Sequence, residues 1–79
     1  MAKILYVGTA GSDDPTRAGL PFNFAIGALE AGHLPEIFLA GEAAYLMKDP
    51  VMSAVQPVAM PALKEMIDTL VARSVPLYV

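Results

Sequence analysis

Along this chain the period of the hydrophobic positions changes several times, and each change marks an element. Lys3 to Thr9 (KILYVGT) is a run of β-branched, aromatic and aliphatic residues without sustained polar alternation, the pattern of a strand covered on both faces. It predicts a central parallel strand. A loop of small residues follows, and Asp14-Pro15 then offers a capping carboxylate and a proline suited to the first helical position. Phe22, Ala25, Ile26 and Leu29 recur at helical spacing, and Gly32 supplies the left-handed residue that ends such a helix. Pro21 leaves two readings. It starts the helix after an irregular Thr16–Gly19 segment, or it kinks a helix that began at Pro15.

Glu36 to Ala40 (EIFLA) reads as a second buried strand, joined to the first by a helix long enough for a right-handed parallel crossover. Gly41 opens a short helix, Glu42 to Lys48, which Asp49-Pro50 ends or redirects by repeating the cap-and-proline signal, and Val51 to Val55 adds at most one turn. Gln56 to Pro61 is a proline-punctuated connector. Pro61 begins the clearest helix, with Leu63, Met66, Ile67, Leu70 and Val71 as its apolar stripe and Lys64 and Asp68 four apart on the wet face. Arg73 falls in its last turn, and Val75 to Val79 reads as a third strand. The pattern is one β–α–β–α–α–β unit over residues 1–79, an α/β fold with a parallel sheet.

Composition changes this picture in one respect. The chain has 79 residues, of which 56% are hydrophobic and 16% charged, with no cysteine and a single histidine. It is more apolar than a small soluble domain needs and has neither disulfides nor a metal cluster to compensate. Surplus apolar surface of this kind points to an incomplete domain, or to a subunit that buries a face against copies of itself. The net charge of −3 and the scattered basic residues Lys3, Arg17, Lys48, Lys64 and Arg73 make no stripe for a phosphate backbone, so nucleic acid is not an expected partner. Charges interrupt the apolar runs too often for a membrane span, and a cytoplasmic protein is the default.

Parallel sheets place ligands beyond the carboxyl ends of their strands, which selects the loops at Thr9–Thr16 and Gly41–Tyr45. The first loop has small residues, hydroxyls and a helix N-terminus, but it lacks a P-loop lysine and the GxGxxG spacing, and Asp13 and Asp14 repel a phosphate. Asp14 reads as a helix cap, and the two neighbouring aspartates supply too few oxygens for a magnesium shell, so no metal is expected. Arg17 reads first as the partner of Asp13 or Asp14 in a surface ion pair, and second as a clamp for an acidic group. His33 reads as a turn residue at the opposite end of the sheet, and the methionines Met47, Met52, Met60 and Met66 as core filling.

Three blocks give the chain a resemblance to a known family: KILYVGTAGSDDPTRAGLPF, GALEAGHLPEIFLAGEAAYLM and MPALKEMIDTLVARSVPLYV. Together they resemble the amino-terminal two thirds of the DsrE-like proteins of intracellular sulfur relay, some of them described as predicted peroxiredoxins. The resemblance implies a three-layer α/β/α domain of flavodoxin-like appearance with a mostly parallel five-stranded sheet. It also implies homo-oligomers, commonly trimers or hexamers, and sulfur-relay proteins as partners. Many members carry a cysteine directly after the third strand, typically as PxYVC, thought to hold sulfur as a persulfide. Here the run is PLYV, ending at Val79 with no cysteine, so these residues by themselves are expected to be inactive and the chain is expected to be part of a longer domain. Beside such a thiol the resemblance would place Gly11, Ser12, Asp14, Arg17, Gly41 and Tyr45 as a candidate cleft. The alternative is a non-catalytic binding or assembly module. A flavin or nucleotide site is a third option, which Asp13 and Asp14 disfavour; no cofactor is expected.

Overall fold

The computed structural model describes residues 1–79. Its elements are β1 (Lys3–Gly8), α1 (Pro15–Glu30), β2 (Leu34–Leu39), a 3₁₀ helix (Gly41–Met47), α2 (Asp49–Ala54), α3 (Leu63–Ala72) and β3 (Leu77–Tyr78). The three strands form one parallel sheet, as the β–α–β pattern predicts, in the order β1-β2-β3.

That order corrects the expectation for the first strand. β2 is central and β1 is an edge. β1 and β2 pair in register from Lys3 opposite Leu34 to Gly8 opposite Leu39, and β3 joins β2 through Ile37 opposite Leu77 and Phe38 opposite Tyr78. Side chains alternate across a sheet, so the register sets Lys3, Leu5 and Val7 on one face with Leu34, Glu36, Phe38 and Tyr78. On the other face Ile37 and Leu39 are buried with Phe22, Ala25, Leu63, Met66 and Leu70 of α1 and α3 in one core cluster. All the helices contribute to that cluster, so the sheet is covered on one face and bare on the other. The structure thus has two layers.

Helix α1 resolves the two readings of Pro21 in favour of a continuous helix from Pro15, with Pro21 inside it. Proline removes one backbone donor there, but its ring is buried and lies 3.1 Å from where a side chain on Gly8 would begin, so it packs α1 onto the end of β1. α1 ends as expected. The N–H of His33 donates to the carbonyl of Ala28 and that of Gly32 to Leu29, with Gly32 at φ +86, which is the doubly bonded left-handed termination of a helix.

β2 starts two residues earlier than the pattern predicts and takes in Pro35. Ile37 donates its N–H to Pro76 of the third-strand segment, so odd-numbered residues of β2 face that side; β3 begins only at Leu77, and the donor that Pro35 lacks has no partner to miss. Four boundaries also move. α3 starts at Leu63 rather than Pro61, with Ala62 as its cap and Met66 donating to the carbonyl of Ala62. Arg73 is the C-cap of α3, one residue past its last turn, and Lys48 rather than Asp49 caps α2. β3 is two residues long where five were expected, because only Ile37 and Phe38 offer it a ladder. The Lys64–Asp68 pair forms at 3.1 Å, and Met52 and Met66 are buried in the core with Met47 and Met60 packed against it.

The connector from Gln56 to Pro61 is pinned to the start of α1. Val58 donates its N–H to Thr16 Oγ1 at 3.1 Å, and a Cβ on Gly19 would stand 2.5 Å from Cγ of the fully buried Pro57. Gly19 is there because nothing larger fits between helix and connector.

Candidate functional site

The two loops expected to converge do meet at the carboxyl end of the sheet. A side chain on Gly11 would run into the backbone carbonyl of Glu42, and Gly41, at φ +59, turns the chain out of β2 next to the carbonyl of Thr9. Gly11 is therefore required by the close approach of the loops, and Gly41 by its left-handed backbone conformation.

The two aspartates are consumed in holding this arrangement. Asp13 Oδ1 accepts from the N–H of Gly11 at 2.8 Å, and Asp14 Oδ1 accepts from the N–H of Arg17 at 3.2 Å as the cap of α1. Asp14 is thus the cap that the sequence predicts. The surface ion pair expected for Arg17 is not formed: the two salt bridges of the molecule are Lys3–Glu36 and Lys64–Asp68. Asp14 engages the backbone of residue 17, and the guanidinium points elsewhere.

The candidate cleft consequently divides. Gly11 and Gly41 form the loop contact, Asp14 caps, Ser12 is exposed, and exposed Tyr45 carries the Lys48 ammonium 5.6 Å from its ring centre. Arg17 alone lines a cavity. It is a groove of about 440 Å³ between β1 and α1, walled by Leu5, Tyr6, Val7, Leu20, Pro21 and Phe24 and closed at the carboxyl end of β1 by Gly8, Thr9 and Ala10. Tyr6 and Phe24 form a tilted aromatic pair at 6.2 Å within its wall, and Phe24 remains 51% exposed. Sequence reasoning did not reach this groove, because it exists only if β1 is an edge.

The bare sheet face is the second feature. Leu5 is 57% exposed, Val7 58% and Phe38 40%, and Leu34 and Tyr78 complete the same surface. Across it runs one polar line: the Tyr78 hydroxyl donates to Glu36 Oε1 at 3.0 Å, and Lys3 Nζ lies 3.7 Å from Glu36 Oε2. The hydrogen bond to Glu36, with the negative charge of that carboxylate, raises the Tyr78 pKa above its ordinary value.

No group of three metal-ligating side chains gathers anywhere in the chain, and there is no thiol. His33 sits in the turn before β2, as expected, where its Nδ1 accepts from the N–H of Ala2 at 2.9 Å. No helix is long and apolar enough to cross a membrane. Compared with known family profiles, curated proteins and solved structures, the chain finds no match.

Proposed function

We propose that this chain is a non-catalytic assembly module on a DsrE-like α/β scaffold, and that it associates with copies of itself through the bare face of its sheet. One observation carries the reading. Leu5, Val7, Leu34, Phe38 and Tyr78 form an exposed, largely apolar surface, crossed by the Lys3–Glu36 pair, on a sheet whose other face packs against the helices. Contiguous exposed apolar patches larger than a few hundred Å² are rare on monomers, and such patches often mark contact surfaces. The Lys3–Glu36 pair gives that surface one positive and one negative charge side by side, so two copies related by a two-fold axis can set opposite charges against each other. Two copies packed in this way make four layers, α/β/β/α, rather than the α/β/α that the resemblance implies.

Sedimentation of the purified chain at micromolar concentration tests this. The expected result is a dimer or larger oligomer that Phe38→Lys converts to a folded monomer. A compact wild-type monomer overturns the reading.

A second reading is sulfur relay, favoured by the contact of the Gly11 and Glu42 loops at the end of the sheet where the resemblance places a persulfide. The thiol would then come from outside these 79 residues, since none of them is a cysteine. The chain alone is accordingly expected to show neither persulfide transfer nor peroxide reduction, because both need a thiolate nucleophile. Turnover of either substrate by the purified chain would overturn that expectation.

A further inference from the structure

The groove along β1 shares Leu5 and Val7 with the bare face but opens on the edge of the strand, and its chemistry specifies what fills it. Within a strand the N–H and C=O of one residue point to the same side, and successive residues point to opposite sides. The carbonyls of Ala2 and Gly8 accept from Leu34 and Ala40, so even-numbered residues of β1 face β2. The N–H and C=O groups of Lys3, Leu5 and Val7 therefore point out of the sheet, where no strand pairs with them. Edge strands are normally blunted by charges, proline or a bulge. β1 has only Lys3, at its first position.

Beside these free backbone groups stands a preformed wall. Leu20 and Phe24 lie one turn apart on α1, and Tyr6 packs against Phe24 as a tilted pair. At the carboxyl end of β1 the groove ends on Arg17, whose guanidinium makes no salt bridge. A row of free main-chain donors and acceptors, apolar walls beside it and one cation at its end define an extended peptide whose carboxylate reaches the cation.

We infer that the groove between β1 and α1 binds an extended peptide segment as a fourth, parallel strand, bonded to the main chain of Leu5 and Val7 and with its C-terminal carboxylate on Arg17. The direction follows from the charge. A parallel strand ends at the carboxyl end of β1, where Arg17 is, whereas an antiparallel one would bring an amine there. A second copy of β1 fits less well, since antiparallel pairing would set Lys3 of the copy towards Arg17, like charge against like.

Fluorescence anisotropy with a dye-labelled alternating threonine–valine hexapeptide tests the inference on the intact chain. Saturable binding is expected for the free acid and about tenfold weaker binding for the C-terminal amide. Arg17→Gln, which removes an exposed side chain without a salt bridge, is expected to leave the thermal melt unchanged and to erase the difference between acid and amide. Peptides N-methylated at every second residue, in the two possible phases, are expected to lose binding in one phase only, since one edge alone faces β1. Absent binding, equal affinity of acid and amide, or any other methylation pattern overturns the inference. So does an oligomer that persists in Phe38→Lys and dissociates when the peptide is added, because the occupant of the groove is then a second copy. Phe38→Lys lies on β2, away from the groove, so loss of self-association there leaves peptide binding as a separate readout.

Discussion

Single residues of this chain can be weighed one against another because several occupy the same local role with different chemistry. Asp14 caps α1 through one carboxylate oxygen, and asparagine offers an equivalent oxygen. Asp14→Asn is therefore expected to melt close to the wild type and Asp14→Ala about 1 kcal/mol lower; equal damage from both would show that the charge matters. The ends of α1 and α3 make a second comparison. Both close with a left-handed residue, Gly32 at φ +86 and Ser74 at φ 60, and Val75 donates to Leu70 as His33 donates to Ala28. Serine pays a steric cost there that glycine avoids, so Ser74→Gly is expected to stabilise by roughly 1 kcal/mol, read as a higher melting temperature, although part of that gain is offset by the freer unfolded chain. Tyr78 gives the pH dependence. Its pKa is raised above 10.0 in the fold, so the bond to Glu36 contributes below pH 10.0 and is lost as pH rises through the raised value. In a Tyr6→Phe, Tyr45→Phe background, tyrosinate absorbance is expected to appear at higher pH than in the same background with Glu36→Gln.

At the scale of elements, α1 separates two glycines that look alike in sequence. A side chain on Gly27 would meet nothing within 4 Å, while one on Gly19 would strike Pro57. Gly27→Ala is expected to stabilise by about 0.5–1 kcal/mol through reduced unfolded-state entropy, and Gly19→Ala to destabilise. Thermal melts of the two variants, made in one helix, check packing against propensity; a stabilising Gly19→Ala would show that the connector is not seated on α1. What the sequence reveals and hides follows the same division. Local rules were legible: the Asp14-Pro15 start, the Gly32 stop, the Lys64–Asp68 pair and the strand–helix alternation are all set by neighbours in the chain. So was the convergence of the Gly11 and Gly41 loops, which follows from parallel strands. Strand order was not. KILYVGT has the composition of a strand buried on both faces, yet Leu5 and Val7 are exposed, because apolarity records what a residue tolerates and not which neighbour covers it. A central β1 leaves no place for the groove at Arg17, and the nearest aspartates then look like the partners of its guanidinium.

For the whole molecule the bare sheet face dominates the energetics. A few hundred Å² of wet apolar surface, at ~25 cal/mol per Å², amounts to several kcal/mol, the order of the entire stability of a domain this small. Association is then coupled to folding. Two copies joined face to face need roughly 1,000 Å² of total burial for a specific interface, and the bare sheet face is the surface that offers it while the β1 edge stays open. The unfolded chains are monomers, so mass action requires the folded population, and with it the melting temperature, to rise with protein concentration. Each tenfold increase is worth roughly 0.7 kcal/mol per protomer in a dimer, which for a domain of this length is about 3–5 °C. Calorimetric melts over a hundredfold range of concentration are expected to show that climb in the wild type. In Phe38→Lys, whose ammonium would sit in the middle of the interface, the melting temperature is expected to be independent of concentration. A wild-type transition that stays fixed across the range would show that the exposed face of Leu5, Val7 and Phe38 is tolerated by the monomer, and the assembly reading would fall with it.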